Sequence, residues 1–400
     1  MSASKRKQAT PTTRMQIKQR VFAGYDLWLL DAVLIMLCIG LVMMTSASIS
    51  IAAKEFSDPL HYFWRQGFAL CIGLTIAIAV LKIPMQFWQD MSVFLLIAAF
   101  VILVLVLIPG VGKEVNGSMR WIQLGPFSFQ TSEPVKLCVI AYLAGYIVRH
   151  QQTVQTNFAG FVRPIVVLTM ISGLLLMQPD FGAGVVLFAT ALGMLFMGGI
   201  PLLRFFAWVL VAFTALLTLA ILSPYRMQRL MSFIDPWKDP FDSGFQLTQA
   251  LIAFGRGEWF GVGLGSSVQK LFYLPEAHTD FVFAVIAEET GLIGSIFIIL
   301  LFSFLIWRAF VIGHVAESVE KYFAAYFAYG IGLIIGIQAY INMGVNMGIL
   351  PTKGLTLPLL SYGGNSLITY CILIAVLLRI EYENRQDTRN IVKKVVVAYA

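Results

Sequence analysis

The segment Leu274-Pro275-Glu276-Ala277-His278-Thr279-Asp280 places three titratable side chains just ahead of a long apolar run. Asp280 could serve as a general base there, provided its pKa lies near the working pH. It could also cap the helix that follows, because Thr and Asp satisfy the free N–H groups of a first turn. The two roles are compatible but pull the acidity in opposite directions. A helix N-terminus favours the ionised carboxylate, so burial or a bound substrate would have to supply the upward push that a base needs.

Other residues invite chemistry of their own. Arg120 and Trp121, in Asn116-Gly117-Ser118-Met119-Arg120-Trp121, set a cation beside an aromatic ring. That pair suits a sugar diphosphate, with the ring stacked on the sugar and the guanidinium on phosphate, although interfacial Trp also serves as a membrane anchor. Glu133 and Lys136 stand three apart and share a helix face, as a local ion pair or with Lys136 turned to an anionic headgroup. Asp180, in Gln178-Pro179-Asp180-Phe181-Gly182, reads as a turn and cap residue. Glu288 and Glu289 lie inside an apolar run, where a charge costs about 2.5 to 3.5 kcal/mol. They are either hydrogen-bonded between helices or part of a proton relay. The glycine-dense run from Gly255 to Gly265 could form a backbone nest for a diphosphate, but it lacks the Lys-Ser or Lys-Thr of a P-loop and reads more simply as a flexible turn. Lys353 falls in a stretch broken by Pro351, Gly354 and Pro358. Such backbone at membrane depth is tolerated only against protein or a wet cavity, which predicts a re-entrant, cavity-lining segment.

The elements that must hold these residues are membrane helices. Of 400 residues, 58% are hydrophobic and 12% charged, with mean hydropathy +0.81. A water-soluble globule could not hide so much apolar surface. A helix needs roughly 20 apolar residues to cross a bilayer. Runs near 27–49, 65–82, 91–109, 134–149, 162–178, 182–200, 203–223, 279–308, 321–348 and 356–380 predict an all-α polytopic protein of about ten spans, the first retained rather than cleaved as a signal peptide. The formal charge of +7 comes from basic residues in tails and short connections, with no basic stripe that would suit nucleic acid. Seventeen Lys and Arg fall on the side of both tails and eleven on the other, which predicts cytoplasmic termini. The chain thus divides into a basic cytoplasmic tail over 1–26, a membrane domain over 27–380 and a second cytoplasmic tail over 381–400. Its opposite, extracytoplasmic side carries loops near 110–133 and 349–355 and a large one near 224–278, between spans 7 and 8. The large loop includes an amphipathic stretch around Phe245 to Phe254 that predicts a short interfacial helix. The four cysteines form no CxxC pair, and no dedicated metal cage is visible.

The run from Asn342 to Ser366, NMGVNMGILPTKGLTLPLLSYGGNS, resembles the signature of the FtsW/RodA/SpoVE (SEDS) family of peptidoglycan glycosyltransferases. The His278-Thr279-Asp280 and NGSMRWIQLG segments and the ten-span plan match as well. Ala277 and the Thr352-Lys353-Gly354 triplet are more similar to the FtsW, or division, branch than to RodA. The resemblance implies polymerisation of lipid II into β-1,4 glycan strands at the outer face of the cytoplasmic membrane, at the division septum. It places the catalytic aspartate on Asp280 and the substrate contacts on Arg120, Trp121 and Lys353, with Lys136, His278 and Glu276 as further candidates. Its implied partners are a class B penicillin-binding transpeptidase of the FtsI type, the FtsQ-FtsL-FtsB complex, FtsN and membrane lipid. A divalent cation on the diphosphate would fit the chemistry.

Residue chemistry agrees with that expectation. A diphosphate donor carries its own leaving group, so transfer needs one base and cations rather than the paired carboxylates of a hydrolase. A flippase for the same lipid, or a RodA-like elongation polymerase, would share the span count. A flippase would spread its essential charges through the membrane depth, with Glu288 or Glu289 outweighing Asp280. The concentration of unusual residues on one side favours the enzyme.

Overall fold

The computed structural model describes residues 25–399 apart from 116, 126, 223, 243 and 353. Helices occupy all ten predicted span positions. They are α1 (Leu27–Phe56), α2 (His61–Val80), α3 (Met85–Leu105), α4 (Ser132–Arg149), α6 (Phe158–Met177), α7 (Phe181–Met197), α8 (Leu202–Ile221), α11 (Val282–Ser318), α12 (Tyr322–Asn346) and α13 (Gly364–Tyr399); the short α5 (Gln151–Thr156) bridges two of them. Among the described residues, seven helices are long and apolar enough to cross a membrane, while Phe181–Met197 and Leu202–Ala215 are apolar but shorter. The basic stretch over 1–24 lies outside the described residues.

Burial separates a pillar from a rim. In α12, 78% of the most apolar stretch is buried, against 22% in α2. Gly330, Gly332 and Gly336 let neighbouring side chains close on α12, the small-residue packing that helices use in lipid. Large apolar side chains such as Leu203 and Phe206 point outward, as a lipid-facing surface requires.

Alternation of the helices puts the connection over 106–131, the turn at 178–180, the long loop over 222–281 and the segment over 347–363 at one end of the bundle. The first of these folds into an antiparallel sheet, β1 (Gly112–Val115), β2 (Ser118–Leu124) and β3 (Phe127–Gln130), with β2 in the middle. This sheet is an addition to the all-helical expectation. The long loop holds two helices, α9 (Pro224–Ile234) and α10 (Phe245–Gly257). The second is the expected amphipathic helix, and it buries Leu247, Ala250 and Ala253.

The glycine run has a definite partner. At Gly291, φ is 69° and ψ −164°, so α11 breaks there. A break inside lipid strands backbone groups unless something meets them. The run meets them: Val262 N donates to Glu288 O at 2.9 Å and Gly263 N to Glu289 O at 3.1 Å, while Leu292 N donates to Glu258 O at 2.9 Å. A side chain on Gly261 would begin 2.2 Å from Glu289 O. The run is therefore a backbone clasp on α11 rather than a free turn.

The adjoining glutamates are structural partners of the same loop. Glu288 accepts from Ser267 Oγ at 2.5 Å and Val268 N at 3.1 Å, with Arg256 Nε at 3.5 Å. Glu289 pairs with Lys270 Nζ at 2.8 Å and accepts from Ser46 Oγ at 2.8 Å. Both are saturated anchors, which answers their burial without a relay.

Candidate active site

A cavity of about 1700 Å³ opens among the loops at this end. Trp64, Phe68, Phe213 and Leu217 make an apolar wall, and Arg65, Arg120, Asp180, Arg229, Glu276 and Asp280 supply the charge. Trp121 and the residues flanking position 353, Thr352 and Gly354, also line it. Lys353 itself lies outside the described residues.

Asp280 is held through its backbone. Its carbonyl accepts from Asn342 Nδ2 at 2.8 Å and from Asn346 Nδ2 at 2.9 Å. Phe281 stands at the N-cap of α11 with no side-chain cap; instead Asn346 Oδ1 accepts from Ala284 N at 3.1 Å. Capping is thus borrowed from α12, and the Asp280 carboxylate is not used for it. That carboxylate faces the segment over 347–363, since a Cβ on Gly354 would sit 3.2 Å from Asp280 Oδ2. Burial pushes its pKa up to about 7, with Glu276 and Asp180 adding to the rise and Arg120 and Arg229 opposing it. The upward push a base requires therefore comes from the protein itself.

Arg120 is presented by the central strand β2. It donates from Nη2 to Ser118 Oγ at 3.2 Å, and its Nη1 lies 3.7 Å from Asp180 Oδ1. Its Nε and Asp180 Oδ2 have no hydrogen-bond partner among the described residues. A guanidinium whose side chain stays 28% exposed beside an apolar wall suits an anionic group entering from lipid. Asp180 also caps α7, accepting from Ala183 N at 3.3 Å, so the expected turn role is combined with a place in the cavity wall.

The remaining candidates are spread out. Glu276 is on the cavity rim with φ 57° and accepts from Thr279 Oγ1 at 2.5 Å. His278 is buried against Tyr62 and Tyr362, with ring centroids 4.7 and 5.6 Å away. Burial holds its imidazole below the ordinary pKa. Lys136 is 2% exposed, 2.8 Å from Glu133 Oε1 and 2.7 Å from Gln338 Oε1, and it is absent from the cavity lining. Its ammonium is engaged inside the bundle.

Sequence reasoning passed over Arg65, Arg229, Gln66, Gln338, Asn342 and Asn346. The last four pin the segment over 347–363 or the Asp280 turn. Gln66 Nε2 donates to Ser361 O at 3.1 Å and its Oε1 accepts from Gly363 N at 3.2 Å, while Gln338 Nε2 donates to Thr356 O at 2.9 Å. Amides within apolar helices were the available signal.

The fold and site define a polytopic membrane protein with an aspartate and arginines gathered in a cavity at one end of its bundle. Residues 27–386 match the FtsW/RodA/SpoVE model of cell cycle proteins, and the chain belongs to that family. It is 54% identical to the probable peptidoglycan glycosyltransferase FtsW of Legionella pneumophila, over 92% of this chain and 93% of that protein. The protein of the same description from Coxiella burnetii is 52% identical, over 92% of this chain and 99% of its own. Among solved structures, a chain from a peptidoglycan synthase complex that coordinates polymerization and crosslinking is similar at TM-score 0.74 and 29% identity, covering 90% of this chain and 99% of that one. The rod shape determining protein RodA of Thermus thermophilus is similar at TM-score 0.66 and 28% identity, over 89% of this chain and 96% of that one.

Proposed function

We propose that this protein is a lipid II polymerase of the division septum, with the cavity opening at the outer face of the cytoplasmic membrane and both termini in the cytoplasm. The observation that carries the reading is the position of Asp280, with its pKa near 7 and the cations Arg120 and Arg229 in the same cavity. The acceptor sugar's 4-hydroxyl attacks C1 of the donor as its proton passes to the Asp280 carboxylate. The C1–O bond to the diphosphate breaks, and the electron pair leaves on the polyprenyl diphosphate, where arginines offset the charge. An α-linked donor then yields a β-1,4 product by direct displacement. The apolar wall suits the lipid tail and Trp121 the sugar face.

Among the described residues, no group of three or more His, Cys, Asp or Glu gathers to hold a metal ion. A divalent cation in the cavity would therefore be carried chiefly by the diphosphate. Lys353 is proposed as a further cation for it, since its neighbours line the cavity. Glu276 and His278 are proposed to shape the rim, and Lys136 to act from inside the bundle through Gln338. A crosslinking transpeptidase is the partner that fits the resemblance to the synthase complex, and FtsQ-FtsL-FtsB and FtsN follow from the division branch.

The test is lipid II polymerisation by the purified protein with its cognate transpeptidase, with Asp280→Ala and Asp280→Asn prepared as folded, partner-binding variants. Loss of glycan product in both supports Asp280 as the base. Product at the wild-type rate would remove Asp280 from that role, and product that requires only the transpeptidase would favour a flippase or a scaffold instead.

A further inference from the structure

The Nδ2 atom of Asn342 donates twice, to Asp280 O at 2.8 Å and to Leu355 O at 2.5 Å. Those carbonyls belong to separate parts of the chain: the turn that presents the candidate base, and the broken segment that carries Lys353. One buried amide on α12 therefore joins the two. Neighbouring rungs on the same helix face divide the task, Asn346 taking only Asp280 O and Gln338 only Thr356 O. The rungs are four residues apart, so Gln338, Asn342 and Asn346 form a polar ladder along one face. Asn342 and Asn346 are themselves linked, Asn346 Nδ2 donating to Asn342 O at 2.9 Å.

Among the seven helices long and apolar enough to cross a membrane, α12 has the largest buried share, and Asn342 and Asn346 are buried at 2% and 0% exposure. An amide at such a site is costly unless satisfied. If its use were only helix packing, an apolar side chain of the same shape would serve. Here both amide protons are directed at cavity-forming backbone, and neither Asp280 nor Leu355 has a regular helix or strand to fix it.

We propose that Asn342 is a positioning residue, setting the separation and orientation of Asp280 relative to the Lys353-bearing segment. This rests on the reading of Asp280 as the base. Asn342 touches no reacting atom, so its loss acts on the turnover step and not on capture of the lipid. A displacement of about 1 Å at a reacting group can cost on the order of 100-fold in rate.

The test compares Asn342→Leu, which keeps the shape and removes both donors, with Asn342→Ser, which keeps one donor. Polymerisation of lipid II is measured with the cognate transpeptidase across pH, together with thermal unfolding and partner binding. The expected result for Asn342→Leu is a kcat lower by 10- to 100-fold with KM for lipid II within twofold. Loosening the turn admits water to Asp280, so the acid limb of the pH profile should move to lower pH. Asn342→Ser should fall between this and wild type. Should Asn342→Leu fail to fold, Asn342→Ser decides alone, with a several-fold loss in kcat and the same direction of pH movement. A folded variant with wild-type kcat and pH profile overturns the proposal, as does a rate loss that follows unfolding with no movement of the acid limb. Asp280→Asn measured alongside separates the two readings. If it is inactive while the Asn342 variants are normal, only the positioning role fails; if it is active, the base assignment fails first.

Discussion

Lys270 Nζ lies 2.8 Å from Glu289 Oε1, with the lysine side chain 8% exposed and the glutamate fully buried. The pair ties the long loop to α11 just ahead of its break at Gly291. Removing one partner of such a pair leaves an uncompensated buried charge, which costs about 3 to 5 kcal/mol. Lys270→Met should therefore lower the thermal unfolding midpoint and open the loop over 258–278 to protease. Lys270→Met combined with Glu289→Gln should recover much of that loss. Equal protease resistance in wild type and Lys270→Met would show that the clasp of backbone bonds holds the loop unaided.

That clasp is sensitive at Gly291. Its φ of 69° is disfavoured for any residue with a Cβ, and a Cβ there would lie 2.4 Å from Gly261 N. Backbone strain of about 1 to 3 kcal/mol adds to overpacking of similar size. Gly291→Ala should unfold at distinctly lower temperature, whereas Gly173→Ala, on a helix position with nothing within 4 Å of the new Cβ, should be neutral or slightly stabilising. The comparison is made by thermal unfolding in one detergent.

Much of this arrangement was open to reading in the sequence, and the reasons for the rest are physical. Spans are written in twenty-residue apolar runs, so their positions needed no tertiary information. Asp280, Arg120 and Trp121 stood out because charge and aromatic rings at the ends of apolar runs are conspicuous. Gly291 did not, because a glycine inside a span carries no mark of whether the helix breaks there. Arg229 is one basic residue in a long loop, and only the fold of α9 over the cavity gives it a role. Asn342 and Asn346 fall inside the signature run, yet neither they nor Gln66 and Gln338 reveal what they hold until the carbonyls they meet are known. Loop residues 112–130 gave no span signal, and their short strands fell below what alternation can reveal.

Asp280 should also govern pH dependence. Its carboxyl titrates at about 7 in the folded protein against 3.8 ordinarily. A base must be ionised, so kcat/KM should rise tenfold per pH unit well below 7 and level off above it. Stability runs the other way. A carboxyl whose folded pKa is raised favours the protonated native state, so its contribution is fully present below about 4 and is lost as pH climbs through 7. Asp280→Asn removes the charge without the shape and should be more stable than wild type at pH 8, by the order of 1 kcal/mol after allowance for water in the cavity. The difference should vanish near pH 4. Unfolding of both proteins across that range is the measurement, and a constant difference would place the titration elsewhere.

Arg229 offers a final comparison with Arg120. Both lower the pKa of Asp280, and both line the cavity, but they are anchored differently. Arg120 sits on a strand and is 3.7 Å from Asp180, so Arg120→Ala also strips that carboxylate of its cation. Arg229 rides on α9, an eleven-residue helix of the long loop. If arginines hold the diphosphate, Arg229→Ala should raise KM for lipid II by roughly 5- to 20-fold, the cost of about 1.5 to 3 kcal/mol for a charged hydrogen bond reduced by residual solvent. Arg229→Lys should recover part of the affinity but not the two-pronged contact. Because either loss removes a cation near Asp280, the acid limb of the rate profile should move to higher pH in both alanine variants. An unchanged KM with a shifted limb would assign Arg229 to tuning the base alone, and an unchanged value of both would remove it from the site.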